Sequence, residues 1–186
     1  KKDLILVGEW NAPVIFKNTG RRLTTFSSNL TEWSGFWNTV ECVDLNNDGK
    51  KDLILGNKGT NTSYKATKEK PMKLFINDYD NNGTIEQITT QTIDGKDVPL
   101  HLKQELAKQI PMIKKKNLSY TDYSKKTFQE LFDTEVINNS VQKTAKMQES
   151  CIAINKGNGK FEIQVLPKEV QFSSVNAIAT MDVNKD

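Results

Sequence analysis

Histidine is almost missing from this chain of 186 residues, which carries only His101. Zinc sites and Ser-His-Asp chemistry need several ligands or a partnered base, so a single imidazole argues against both. Standing at the start of a helical segment, His101 is expected at the surface, and no local signature joins it to a cysteine as a catalytic pair. Cysteine is scarce too: Cys42 sits in "TVECVDL" and Cys151 in "ESCIAIN". Each lies in an apolar stretch and is expected to be a buried free thiol. A disulfide stays open, because spacing alone cannot place the two Cα atoms. Long apolar runs are lacking, so no span of a bilayer is expected. The start, "KKDLILVGEW", has neither the apolar core nor the cleavage site of a secretory signal. A charge excess is missing as well: 26 Lys and Arg face 23 Asp and Glu, a net charge of +3. That balance argues against a dedicated nucleic-acid binder.

What is present is a globular composition, 36% hydrophobic and 26% charged, long enough to bury a core. Residues 44–57 read "DLNNDGKKDLILGN". Acidic and amide side chains alternate, a glycine follows, and the chain then turns apolar. The pattern recurs. "KKDLILVG" at 1–8 matches "KKDLILGN" at 50–57, "NDYDNNGTIEQI" at 77–88 repeats the alternation, and "MDVNKD" at 181–186 begins it again. Such internal repetition marks a repeat architecture. A chain starting just after one loop and stopping inside another is expected to be a segment of a longer repeat protein.

Short apolar runs bounded by Asn, Gly and Asp ("LILVG", "LILG", "KLFI", "CIAIN") predict strands. Being continuous rather than alternating, they suit strands covered on both faces. "NKGNGKFEI" at 155–163 predicts a tight turn between two strands. Residues 94–140 differ. Leu102, Leu106, Ile110 and Ile113 fall at helical spacing, and Pro111 should end or kink that helix. Thr121 or Asp122 is a candidate N-cap, and Phe128, Leu131 and Phe132 form a second apolar stripe. The division expected is repeat units with two loops over 1–93, a helical insertion over 94–140, and a further unit over 141–186.

The loops suit a cation. Alternate side chains of an extended segment point to the same side. Asp44, Asn46 and Asp48 can converge, Gly49 permits the bend, the Lys50 carbonyl can turn inward, and Asp52 closes the cage. The second loop offers Asp78, Asp80, Asn82, the Thr84 carbonyl and Glu86 around Gly83. All donors are oxygens, as Ca²⁺ prefers. The third loop begins with Asp182, Asn184 and Asp186 but lacks a closing glycine and acid, so it is expected to be empty or weak. An EF-hand is excluded, since its twelfth position must be an acid and here is Leu55 or Thr89. A metal-free polar turn needs only one or two such residues, not the whole pattern twice.

With "VECVDLNNDGKKDLILGN" and "LFINDYDNNGTIEQIT", the chain resembles the FG-GAP/VCBS repeat family, whose unit is "FxxxDxxxDGxxDLxxG"-like. The likeness covers residues 1–18, 36–92 and 150–186. It implies a mainly β fold of propeller blades, about seven four-stranded blades in a full ring, with calcium between strands of a blade. By motif match it makes Asp44, Asn46, Asp48, Asp52, Asp78, Asp80, Asn82 and Glu86 ligands. It implies bacterial secreted, cell-surface or periplasmic proteins that bind glycans or proteins. The second unit departs from it, with "TIEQI" where the family has Asp-Leu, so the first loop is the fuller match. About three units cannot close a ring. An open arc is expected, or edges covered by further copies.

Other chemistry is thinly supported. Trp33, Phe36 and Trp37 in "TEWSGFWNTV", with Trp10, suit a core, and Trp33 and Trp37 are the candidates for stacking on a sugar. Acids outside the loops, such as Glu9, Glu32, Glu41, Asp94, Asp97 and Glu105, form no recognisable glycosidase pair. The lysines at 114–116 and 125–126 suit a solvated helical face better than an acidic partner. The expectation is a non-catalytic calcium-binding recognition segment. Its alternatives are part of a propeller-type polysaccharide-degrading enzyme, or a nucleic-acid binder acting through the lysine-rich insertion.

Overall fold

The computed structural model describes residues 1–184, so the expected ligand Asp186 lies outside the described residues. In chain order the strands are β1 (Leu4–Leu6), β2 (Glu9–Asn11), β3 (Val14–Asn18), β4 (Leu23–Phe26), β5 (Gly35–Phe36), β6 (Thr39–Val43), β7 (Asp52–Gly56), β8 (Met72–Asn77), β9 (Glu86–Ile93), β10 (Lys96–Pro99), β11 (Val141–Ala145), β12 (Cys151–Asn155) and β13 (Phe161–Val165). Between β10 and β11 lie α1 (Lys103–Gln109), α2 (Met112–Lys116), α3 (Tyr120–Ser124), α4 (Phe128–Leu131) and α5 (Thr134–Asn138). The fold is mainly β with several antiparallel sheets, and no closed barrel or propeller is present among the described residues.

The chain divides into two compact units, one of Lys1–Lys65 with Ala145–Asp186 and the other of Ala66–Thr144. The first holds a four-stranded sheet in the order β13-β12-β7-β6. Its strands form an up-and-down meander, and the whole second unit enters between β7 and β12. Continuous apolar runs mark the inner strands. Leu53 and Leu55 of β7, with Cys151 and Ala153 of β12, are all but fully buried. They share a core with Ile15 of β3 and with Leu30 and Trp37. Gly35 of β5 allows close packing, since a Cβ there would lie 2.5 Å from the Met147 carbonyl oxygen.

A second sheet of this unit, ordered β1-β3-β4, copies three strands of the meander. Leu4 pairs with Phe16, two residues before Asn18, and Leu53 pairs with Ala153, two before Asn155. Asp3 accepts the Asn18 N–H at 2.8 Å, and Asp52 accepts the Asn155 N–H at 2.8 Å. Each Asn then takes the N–H of a glycine two residues on, Gly20 or Gly157. The octapeptide repeat thus extends to paired strands whose sequences, "VIFKN" and "CIAIN", barely agree. Burial separates the copies. β7 lies inside its sheet, whereas β1 is an edge with Leu4 and Leu6 exposed, against the expectation of two covered faces.

The second unit has its own sheet, ordered β10-β9-β8-β11, with the helices packed on it. Phe75 of β8 stacks on Phe128 of α4 at 4.1 Å between ring centres, and Leu106, Ile110 and Ile113 complete the core. Asp97 of β10, nearly buried, accepts from Lys73 of β8 and Gln129 of α4, each at 2.9 Å. The unit boundaries therefore fall near 65 and 144, not at 93 and 140. The strands flanking the second loop build their core with the helices, so the expected insertion is the helical part of a larger inserted unit. Pro111 separates α1 from α2 as expected. Leu102 is exposed, outside the apolar stripe, and precedes α1 as its N-cap. The N-cap of α3 is Ser119, not Thr121 or Asp122, because its hydroxyl accepts the Asp122 N–H at 3.0 Å.

Candidate metal site

The two complete loops fold alike. In the first, Asp44 accepts the N–H of Asp48 at 3.2 Å and of Gly49 at 2.9 Å. In the second, Asp78 accepts those of Asn82 at 3.1 Å and Gly83 at 2.8 Å. The fifth side chain accepts the seventh N–H, Asp48 from Lys50 at 2.8 Å and Asn82 from Thr84 at 2.7 Å. The ninth acid reaches back to the second residue, Asp52 to the Leu45 N–H at 3.0 Å and Glu86 to the Tyr79 N–H at 2.9 Å. Asn47 and Asn81 both take φ 57°, and Gly49 and Gly83 take 81° and 85°. The bend runs through the left-handed region, which glycine and asparagine tolerate best.

The loops differ in what they gather. Carboxylate oxygens of Asp78, Asp80 and Glu86 lie within 4.8 Å of one another, the one such acidic cluster among the described residues. Asp80 Oδ1 is buried and has no hydrogen-bond partner. Unsatisfied buried oxygens cost free energy, and a cation in that gap removes the cost. Glu86 is nearly buried and spends Oε2 on Tyr79, which leaves Oε1 for an ion. In the first loop, Asp52 has both oxygens taken, by Leu45 and by Asn155. Asp48 turns outward to an ion pair with Lys50 at 3.0 Å. The Lys50 N–H and ammonium hold its carboxyl below the usual carboxylate range. Asn46 caps the Asp48 N–H at 3.1 Å. The better-formed site is therefore the second loop, not the first. A sequence match cannot register that Asn155 occupies an oxygen of Asp52. Asp182 and Asn184 of the third loop line a cavity of about 690 Å³ together with Asp44 and Asn47.

The other candidates lie apart from this chemistry. Trp37 is 1% exposed and donates its indole N–H to the Trp33 carbonyl at 2.9 Å, so its face is closed to a sugar. Trp33 packs partly against the same core. His101 is half-buried rather than superficial, and its Nε2 accepts the Thr89 N–H at 3.2 Å. Burial pushes its pKa down, opposed by the nearby Glu105 carboxylate. Cys42 and Cys151 are both free thiols. Cys151 is buried as expected, with its pKa pushed by burial up to about 12, whereas Cys42 is exposed. They pair with β7 from its opposite sides. No helix is long and apolar enough to cross a membrane among the described residues. No protein-family model, curated protein or solved structure matches this chain.

Proposed function

We propose that this chain is a calcium-binding, non-catalytic recognition segment of β-propeller type from an exported bacterial protein. One observation carries the metal reading: three carboxylates converge in the second loop around a buried oxygen, Asp80 Oδ1, that has no other partner. A donor set of oxygens alone favours a hard cation, and an irregular loop favours Ca²⁺ over the strict octahedron of Mg²⁺. When bound, the ion supplies charge neutralisation. The chain's own residues do the rest. Asp78 and Asn82 shape the bend, and Glu86 joins the loop to the start of β9. The matching hydrogen bonds of the first loop support a weaker second site at Asp44, Asn46, Asp48, Lys50 and Asp52. The blade-like meander β6-β7-β12-β13 and its partial copy β1-β3-β4 support a propeller-type repeat. Glycans or proteins are the proposed ligands, on the strength of the family resemblance.

The test is a calcium titration followed by heat and by melting temperature, with EDTA as the reverse arm. Calcium should raise the melting temperature and EDTA should lower it. Saturation at a hundred times the dissociation constant contributes about 2.7 kcal/mol. A heatless titration with superimposable melting curves would remove the metal reading.

A further inference from the structure

We propose that the helical part of the inserted unit carries a binding site for an acidic saccharide, built from Lys103, Lys108, Lys114, Gln104 and Tyr120. This inference rests on the recognition role proposed above and gives it a place. These residues, with Ala107, line a cavity of about 460 Å³ between α1, α2 and α3. That size suits one or two sugar rings and is far too small for a nucleic-acid duplex.

Lys103 is the unusual member. It is 8% exposed, and lysine is rarely buried without a paired charge. Its ammonium donates to the Leu118 carbonyl at 3.2 Å and lies 5.1 Å from the centre of the Tyr120 ring. An ammonium has three N–H donors, so one carbonyl leaves it under-satisfied. Lys108 and Lys114 add two more cations to the same cavity. Among the described residues none of the three forms an ion pair. The neighbouring acids are engaged elsewhere. Glu105 accepts the Leu102 N–H at 2.9 Å, and Asp122 accepts a hydrogen bond at the start of α3 and faces Lys125 and Lys126. Three cations thus share a concavity with no anion of their own.

The remaining lining selects the kind of anion. The Tyr120 side chain is exposed and its ring forms one wall, a flat apolar surface for the C–H face of a sugar. Gln104 offers an amide donor and acceptor for hydroxyls. A bare phosphate would use the lysines and ignore the ring. A uronate or sulfated sugar uses both. The site draws on neither metal loop, so it does not depend on calcium.

The experiment titrates the whole chain with tetragalacturonate, a neutral galactose tetramer, inorganic phosphate and a short single-stranded DNA, observed by calorimetry and by amide shifts. The acidic oligosaccharide should bind at least about tenfold more tightly than the neutral one. Lys114→Glu and Tyr120→Ala, both at exposed positions, should each weaken it by about tenfold or more while leaving the fold intact. Lys103→Met should do the same if it folds, and Lys103→Arg should retain binding. Absence of tetragalacturonate binding overturns the proposal, as does equal binding of the neutral tetramer. Indifference to Tyr120→Ala, or a preference for phosphate or DNA, also overturns it. Calcium is titrated in parallel. Intact calcium binding without sugar binding removes this inference alone, and sugar binding without calcium binding removes only the metal reading.

Discussion

Glu86 accepts the backbone N–H of Tyr79 at 2.9 Å, so one side chain both fastens the second loop and faces its acidic cluster. These two duties can be separated. Glu86→Gln keeps an oxygen for Tyr79 but removes the charge. It should lower calcium affinity about tenfold or more and change metal-free stability little. Glu86→Ala should also destabilise the metal-free protein by about 1–3 kcal/mol, because a buried N–H loses its acceptor. Calorimetry with urea denaturation in EDTA reads both effects. Equal metal-free stability of Gln and Ala variants would show that the hydrogen bond contributes nothing.

Asp80 gives the complementary case. Its Oδ1 has no protein partner, so Asp80→Asn costs the metal-free fold almost nothing and weakens calcium binding about tenfold or more. Asp48→Asn in the first loop should have a smaller effect on total calcium binding, because Asp48 faces Lys50 rather than a cluster. A larger loss from Asp48→Asn than from Asp80→Asn would reverse the ranking of the two loops.

Asp52 is fully buried and bridges Leu45 to Asn155, a partner 103 residues away in sequence. Asp52→Asn puts an amide donor where an N–H needs an acceptor. It should destabilise the first unit by about 1–3 kcal/mol, with or without calcium. Urea midpoints in EDTA measure it, and a change under half a kilocalorie would refute the bridging role.

That long-range bond also explains what local sequence could and could not disclose. The alternating donors at 44–52 and 78–86 are a local pattern, and the loop bends follow from it. Strands such as "LILG" and "CIAIN" are local too. The pairing of Leu53 with Ala153 across an inserted unit is not. Nothing near Leu55 signals that the next strand of its sheet is Cys151–Asn155. For the same reason β8 and β9 read as another repeat unit, although Phe75 and Ile88 share a core with Phe128. Nothing in the local sequence distinguishes Lys103 from the other lysines, since its burial comes from the packing of short helices around it.

The two thiols should differ sharply. Cys42 is exposed, while Cys151 is fully buried and burial pushes its pKa up to about 12. A thiol reagent should modify one cysteine in the native chain and two after denaturation, with mass mapping to Cys42. Reaction should be slower than for a free thiol, because desolvation by neighbouring groups and the adjacent Glu41 carboxylate raise the pKa of this exposed thiol and leave less thiolate. Native modification of both would place Cys151 outside the core.

His101 makes the stability of the second unit depend on pH. Nε2 accepts the Thr89 N–H, so the folded state requires the neutral ring with its proton on Nδ1. Burial lowers the folded-state pKa below the ordinary 6.5, against the opposing pull of Glu105. Above 6.5 the ring is neutral in folded and unfolded chains alike, and the contribution is complete. As pH falls below 6.5 the unfolded chain takes up the proton first and stability declines. The loss is complete once pH has dropped through the lowered folded-state value. Urea midpoints between pH 7.5 and roughly 5 follow this loss, and the comparison with a His101 variant isolates the imidazole. His101→Gln keeps an acceptor that cannot titrate at these values, and it should flatten the curve. At neutral pH it should cost no more than about 1 kcal/mol for a less ideal hydrogen bond. A slope that survives His101→Gln would assign the pH dependence to another group and leave the Thr89 contact without energetic weight.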